Sequence, residues 1–130
     1  MILPEFEYVV PESLQEACTL LGQHGPRAMV LAGGTDLLVK MKFGRAKPSC
    51  VVSLRRLVEL KGIRYEPGVG VVMGARATLN EMLASPVLRE RYPSVCSAAG
   101  TMAGYQIRAI GTLGGNLGNA VPFTESHYTT

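Results

Sequence analysis

At 130 residues, 47% hydrophobic and 18% charged, the chain is large enough for one compact domain or two small lobes and too apolar to remain disordered. Its net charge of +3 is too slight an excess to mark a nucleic-acid-binding surface, although it suits a site for an anionic cofactor. No run of about 18 apolar residues is present, so no membrane-spanning segment is expected.

The opening "MILPEFEYVV" holds Glu5 and no basic segment, and it does not read as a signal peptide. "PESLQEACTLLGQHG" reads as a helix with Leu14, Ala17, Cys18 and Leu21 on one face. Ser13 and Glu16 have capping-box spacing, which makes Ser13 the N-cap, and Gly22 or Gly25 ends the helix. "RAMVLA" and then "CVVSL" (50–54) read as short buried strands. Residues 8 to 54 thus alternate strand, helix, strand, helix, strand, the pattern of two crossover units in a small α/β lobe.

The pattern changes near 54–57. "GIRY" and "VVMGA" flank "EPGVG", a hairpin turning at Pro67-Gly68. Thr78 and Glu81 repeat the capping-box spacing ahead of Leu79, Met82 and Leu83, which predicts a short helix before Pro86. "PSVCSAAGTMAGYQIRA" predicts a helix from 94 to about 103, with Ala98, Ala99 and Ala103 permitting close packing. Cys18, Cys50 and Cys96 are widely spaced and form no CxxC pair; neither a zinc site nor a disulfide framework is indicated, and a reduced, cytosolic setting is expected.

Two glycine-rich stretches stand out. In "VLAGGTDLLVKMK" (30–42), a glycine pair between a strand and a helix can aim several backbone N–H groups at one anion. Gly33 and Gly34 would face it, Thr35 would add a hydroxyl, and Asp36 would turn away to cap a helix beginning near Leu37. "AIGTLGGNLGN" (109–119) offers Thr112, Gly114, Gly115 and Asn116 in the same chemistry. Each stretch alone reads equally well as plain structure, the first as a tight strand-to-helix connection and the second as a bulge or turn. Neither matches G-x-x-x-x-G-K-S/T or G-x-G-x-x-G.

Taken in order, "VLAGGTDLLVKMK", "VVMGARAT" and "QIRAIGTLGGNLGNAVP" resemble the flavin-binding subunits of molybdenum hydroxylases, which include the medium subunits of xanthine, carbon monoxide and nicotinate dehydrogenases and of 4-hydroxybenzoyl-CoA reductase. The resemblance implies an α+β, two-lobed module of the vanillyl-alcohol-oxidase (PCMH) type. A small α/β lobe would occupy residues 1–55 and a second, incomplete α+β lobe residues 56–130. It implies FAD as cofactor, with Ala32, Gly33, Gly34, Thr35 and Asp36 wrapping the pyrophosphate from one side and Gly111, Thr112, Gly114, Gly115 and Asn116 from the other. Arg108, four residues before Thr112, would reach an anion, or would be an exposed or ion-paired structural arginine. Glu125 would hold a flavin ribose or ring atom.

The resemblance also implies a role. Such a subunit passes electrons between the 2Fe–2S clusters of a small partner subunit and NAD or another acceptor, beside a large subunit holding the molybdenum cofactor. The family pattern "GNLCNASPAAD" is here "GNLGNAVPFTE", with Gly118, Val121 and Glu125 as departures. Family subunits continue well beyond "SHYTT", so a fragment, split-gene product or reduced form is expected. A second copy of the chain could then supply the missing cover. The rival reading is a flavin-free interaction module.

Of the remaining polar residues, Lys40 and Lys42 read as solvent-facing charges near a helix end. His24 and His127 read as isolated surface residues with no metal role, and Tyr105 as a packing residue. No Ser-His-Asp, paired-carboxylate or Cys-His set has catalytic spacing, as expected where a cofactor performs the redox chemistry.

Overall fold

A computed structural model describes residues 3–120. The first half is the expected alternation: β1 (Glu7–Val9), α1 (Leu14–His24), β2 (Ala28–Leu31), α2 (Leu37–Lys42) and β3 (Cys50–Ser53). The strands form one parallel sheet in the order β1-β3-β2, with Glu7 and Ala28 both in register with Cys50. β3 is central and buried throughout. Its alternating side chains feed two apolar clusters. Cys50 and Val52 meet Ala17 and Leu57 on one face; Val51 meets Met41 and Ala46 on the other.

Two elements of this half differ from the sequence expectation. "RAMVLA" is an edge strand, with Met29 36% and Val30 43% exposed, because neither face of β2 is fully covered. The packed face of α1 is Ala17, Leu20 and Leu21, whereas Leu14 and Cys18 are exposed. The helix is therefore rotated from the expected stripe, and Leu14 in its first turn lies outside the cluster. Its ends are as read: the Ser13 hydroxyl accepts the Glu16 N–H at 3.1 Å, and Gly25 terminates it at φ +56°.

The second half begins with the hairpin β4 (Ile63–Glu66) and β5 (Gly70–Met73), turning through Gly68 at φ +83°. Helices α3 (Leu79–Ala84), α4 (Pro86–Arg91), α5 (Pro93–Thr101), α6 (Tyr105–Arg108) and α7 (Leu113–Asn119) follow. Thr78 and Glu81 form the full reciprocal capping box on α3. Pro86 opens α4, a helix the sequence reading did not contain, at a first-turn position where its missing N–H costs nothing. Leu79, Met82, Leu88 and Ala99 make the third apolar cluster, joined by Ile63, Val71 and Met73. Of the three alanines expected to pack closely, only Ala99 is buried; Ala98 is exposed, and Ala103 lies past the end of α5 at φ +47°. No described helix is long and apolar enough to cross a membrane.

Candidate cofactor-binding site

The first glycine loop joins β2 to α2. Gly34 sits at φ +80°, a conformation open to glycine and strained for a branched residue. Among the described residues, none of the backbone N–H groups of Gly33, Gly34, Thr35 and Asp36 donates to a protein acceptor. Four adjacent free donors on a turn make an anion-binding concavity. Asp36 does not cap α2. Its backbone is already helical (φ −97°, ψ −49°), its side chain makes no capping hydrogen bond, and its carbonyl accepts the Lys40 N–H at 2.9 Å. An N-cap carboxylate needs an extended backbone to swing over the first turn, and this residue lacks one.

The second glycine stretch is the start of α7, and its donors are mostly spent. Gly111 donates to the Ile107 carbonyl at 2.7 Å, Leu113 to Ala77 at 2.9 Å and Gly114 to Ala75 at 2.8 Å. The Gly115 N–H goes to the Thr112 hydroxyl at 3.1 Å, and the Asn116 N–H to the Thr112 carbonyl at 3.0 Å. The array of exposed N–H groups expected here is therefore absent. Thr112 is the N-cap, 8% exposed, and its own hydroxyl hydrogen donates to no described protein group. Asn116 is exposed, with no side-chain hydrogen bond among the described residues.

The glycines serve backbone packing more than ligand approach. A Cβ on Gly33 would lie 1.9 Å from the Ile110 carbonyl oxygen, so the two loops dock backbone against backbone. A Cβ on Gly114 would lie 2.7 Å from Ala75, and one on Gly115 would lie 2.9 Å from the Thr112 hydroxyl. The Thr78–Thr112 bridge holds the same junction, with Leu79 N–H on the Gly111 carbonyl at 3.1 Å.

Between the loops lies a cavity of about 230 Å³, to which Ala32 and Gly33 contribute from one side and Ala109, Ile110 and Thr112 from the other. Its wall also holds Lys61 and Arg76, which the sequence reading did not single out. Both come from the hairpin. The register of Ile63 with Met73 continues outward through Gly74 N–H on the Gly62 carbonyl (2.8 Å) and Arg76 N–H on the Leu60 carbonyl (2.7 Å). Extending that register from the turn was the signal available in the sequence. Glu81, the one carboxylate on the wall, is engaged by the Thr78 N–H at 2.7 Å. Two cations against one hydrogen-bonded carboxylate leave the cavity net positive.

Other expected residues stand elsewhere. The Arg108 guanidinium donates to the Ala103 carbonyl at 2.6 Å and the Met102 carbonyl at 3.2 Å, holding the end of α5, and its Nε is buried without a partner. It is not on the wall of this cavity and has no ion-pair partner among the described residues. Lys40 is half-buried and donates to Asn119 Oδ1, linking α2 to α7, while Lys42 is exposed as expected. Tyr105 is 69% exposed rather than packed. His24 is not isolated, since Glu7 and Cys50 stand beside it. Burial, and secondarily the Glu7 carboxylate, push the Cys50 thiol above its usual range. Glu125, His127 and Val121 lie outside the described residues.

These features fit FAD. A diphosphate needs several donors and positive charge; the cavity wall holds the free Gly33 N–H, the Thr112 hydroxyl, Lys61 and Arg76, and the free N–H groups of Gly34, Thr35 and Asp36 follow on the same loop. The comparisons agree. Residues 4–129 match the family described as the FAD binding domain in molybdopterin dehydrogenase, and the chain belongs to that family. It is 43% identical over 122 residues to the carbon monoxide dehydrogenase medium chain of Hydrogenophaga pseudoflava, covering 94% of this chain and 42% of that one. It is 36% identical over 117 residues to the nicotinate dehydrogenase FAD-subunit of Eubacterium barkeri, covering 88% and 39%. The solved carbon monoxide dehydrogenase from H. pseudoflava lacking the Mo-pyranopterin moiety superposes with a TM-score of 0.86 at 44% identity, over 90% of this chain and 40% of that one. The fold is thus the α+β FAD-binding module of the PCMH type implied by the resemblance. The chain spans about two-fifths of the length of these relatives.

Thr112 is the residue whose loss should separate stability from binding least cleanly, since it both caps α7 and faces the cavity. Thr112→Ala is expected to lower unfolding free energy by about 1–2 kcal/mol through the lost cap and to weaken FAD. Asp36→Ala, with no capping bond to lose, is expected to stay within about 0.5 kcal/mol of wild type. Thermal melts beside flavin titrations check both. A large stability loss from Asp36→Ala alone would reverse the assignment.

Proposed function

We propose that this chain holds the pyrophosphate of FAD between its two glycine loops and serves as the flavin-binding electron-transfer part of a molybdenum hydroxylase-like complex. The observation that carries this reading is the row of free N–H groups from Gly33 to Asp36 on a loop whose first members, Ala32 and Gly33, wall a positively charged cavity. In this reading Ala32 to Asp36 bind the phosphates directly, Thr112 adds its hydroxyl, and Lys61 and Arg76 supply countercharge. Gly111, Gly114, Gly115 and Asn116 build the turn that presents Thr112, and Arg108 holds the helix end behind it. Glu125, by resemblance, contributes a contact further along the chain.

FAD, when bound, supplies the redox chemistry; the chain's part is to hold it and to replace water around its charged groups. The proposed partners are a large subunit with the molybdenum cofactor and a small one with 2Fe–2S clusters, with NAD or another acceptor receiving electrons. Self-association remains part of the proposal as an alternative source of cover. The division into lobes 1–55 and 56–130 also belongs to it. The separate apolar clusters support that division, with Leu57 and Leu60 still packed on the first side. The three free thiols suit a reducing, cytoplasmic setting.

Calorimetry on the full chain with FAD, ADP and riboflavin tests this reading. FAD is expected to bind, ADP to compete because it presents the same diphosphate, and riboflavin, without phosphate, not to compete. Absence of binding by both FAD and ADP would favour a flavin-free interaction module.

A further inference from the structure

Away from the glycine loops, the sheet brings together three side chains that the sequence keeps far apart. Glu7 and Cys50 are paired in register on β1 and β3, so their side chains leave the same face of the sheet one strand apart. α1 lies on that face through Ala17, Leu20 and Leu21, and its last residue is His24. The His24 Nε2 stands 3.9 Å from Glu7 Oε2, and the ligand atoms of Glu7, His24 and Cys50 all lie within 4.8 Å of one another. At 3.9 Å the histidine and glutamate are too far apart for a hydrogen bond.

Among the described residues, none of the three side chains has a hydrogen-bond partner; the Cys96 thiol, by contrast, donates to the Met82 carbonyl at 3.5 Å. Cys50 is fully buried, Glu7 is exposed and His24 is half-buried. The group therefore runs from the core to the surface.

We propose that Glu7, His24 and Cys50 form a site for one divalent transition cation, Zn2+ by ligand type, with a water completing the tetrahedron. Thiolate, imidazole and carboxylate together are a zinc donor set. Bonds of about 2.0–2.3 Å at tetrahedral angles separate ligand atoms by roughly 3.3–3.8 Å. The three side chains are already within about 1.5 Å of that spacing. Charge favours the assembly. A carboxylate beside a bare thiolate is repulsive, but a dication between them brings the three formal charges to zero. On binding, the Cys50 S–H bond breaks, a metal–sulfur bond forms, the proton leaves to solvent, and nothing is oxidised or reduced.

The site would staple the end of α1 to β1 and β3. It lies where the parallel strands begin, whereas the Gly33–Asp36 loop follows the end of β2. It is therefore independent of the flavin assignment.

The test is titration of the reduced full chain with Co2+, followed by absorbance. One Co2+ per chain is expected, with a near-ultraviolet thiolate-to-metal band and visible bands of tetrahedral intensity, all bleached by Zn2+. Glu7→Gln and His24→Gln, both at least partly exposed, should keep the fold by circular dichroism and weaken Co2+ by about tenfold or more. Cys50→Ala should remove the thiolate band, whereas Cys18→Ser and Cys96→Ser should leave it. A wild-type chain without that band, a band that persists unchanged in both Glu7→Gln and His24→Gln, or a band lost with Cys18 or Cys96, would overturn the site.

Discussion

Gly33→Ala is expected to abolish FAD binding and to destabilise the chain by about 3 kcal/mol, the upper part of the range for an overpacked position. The added Cβ would stand 1.9 Å from the Ile110 carbonyl oxygen and 2.8 Å from its carbon. Both are backbone atoms, so no rotamer change can relieve the clash. The two loops would have to separate, and the cavity they enclose would open with them. Gly22→Ala is the control. It lies inside α1 with nothing within 4 Å of the new methyl, so it should raise stability by about 0.5–1 kcal/mol. Chemical denaturation and flavin titration of the two variants measure both effects. A Gly33→Ala chain that melts and binds as wild type would show that the loops are not docked in this way.

Arg108→Ala is expected to cost about 2 kcal/mol of stability, the scale of hydrogen bonds from a charged donor. The guanidinium gathers the Met102 and Ala103 carbonyls where α5 ends and the chain turns through Ala103 at φ +47°. Without it those carbonyls lose their partner at a strained turn. ADP affinity of the folded fraction should change little, because the side chain points to α5 and not into the cavity. Unchanged melting with lost ADP binding would instead make Arg108 the anion contact that the family resemblance suggests.

The contrast between the two glycine stretches shows what kind of information a sequence holds. The first was legible as a donor-rich turn, because its character is local. An apolar strand stops, a glycine takes positive φ, a helix starts, and the N–H groups between have no regular partner. The second has the same composition but a different role, since its donors go to Ala75, Ala77 and Ile107. Ala75 and Ala77 are supplied by docking against the exit of β5, which no local pattern encodes, whereas Ile107 lies only four residues back along the chain. Lys61 and Arg76 flank the hairpin, whose register the turn makes legible; that they wall the cavity depends on how the hairpin sits against the two glycine loops.

By itself the sequence determined the strand–helix alternation of residues 8–54, the hairpin, the Ser13 and Thr78 caps and the family. Each depends on hydrophobic period, turn chemistry or capping geometry, which act over a few residues, or on motifs in a recognisable order. Tertiary structure alone decided the rest. It left β2 at an exposed edge, rotated α1 toward Ala17 and Leu20, turned Arg108 inward to α5, and brought Glu7, His24 and Cys50 together from three separate elements. These outcomes follow from which surfaces bury one another, and that competition is settled between elements distant in the chain.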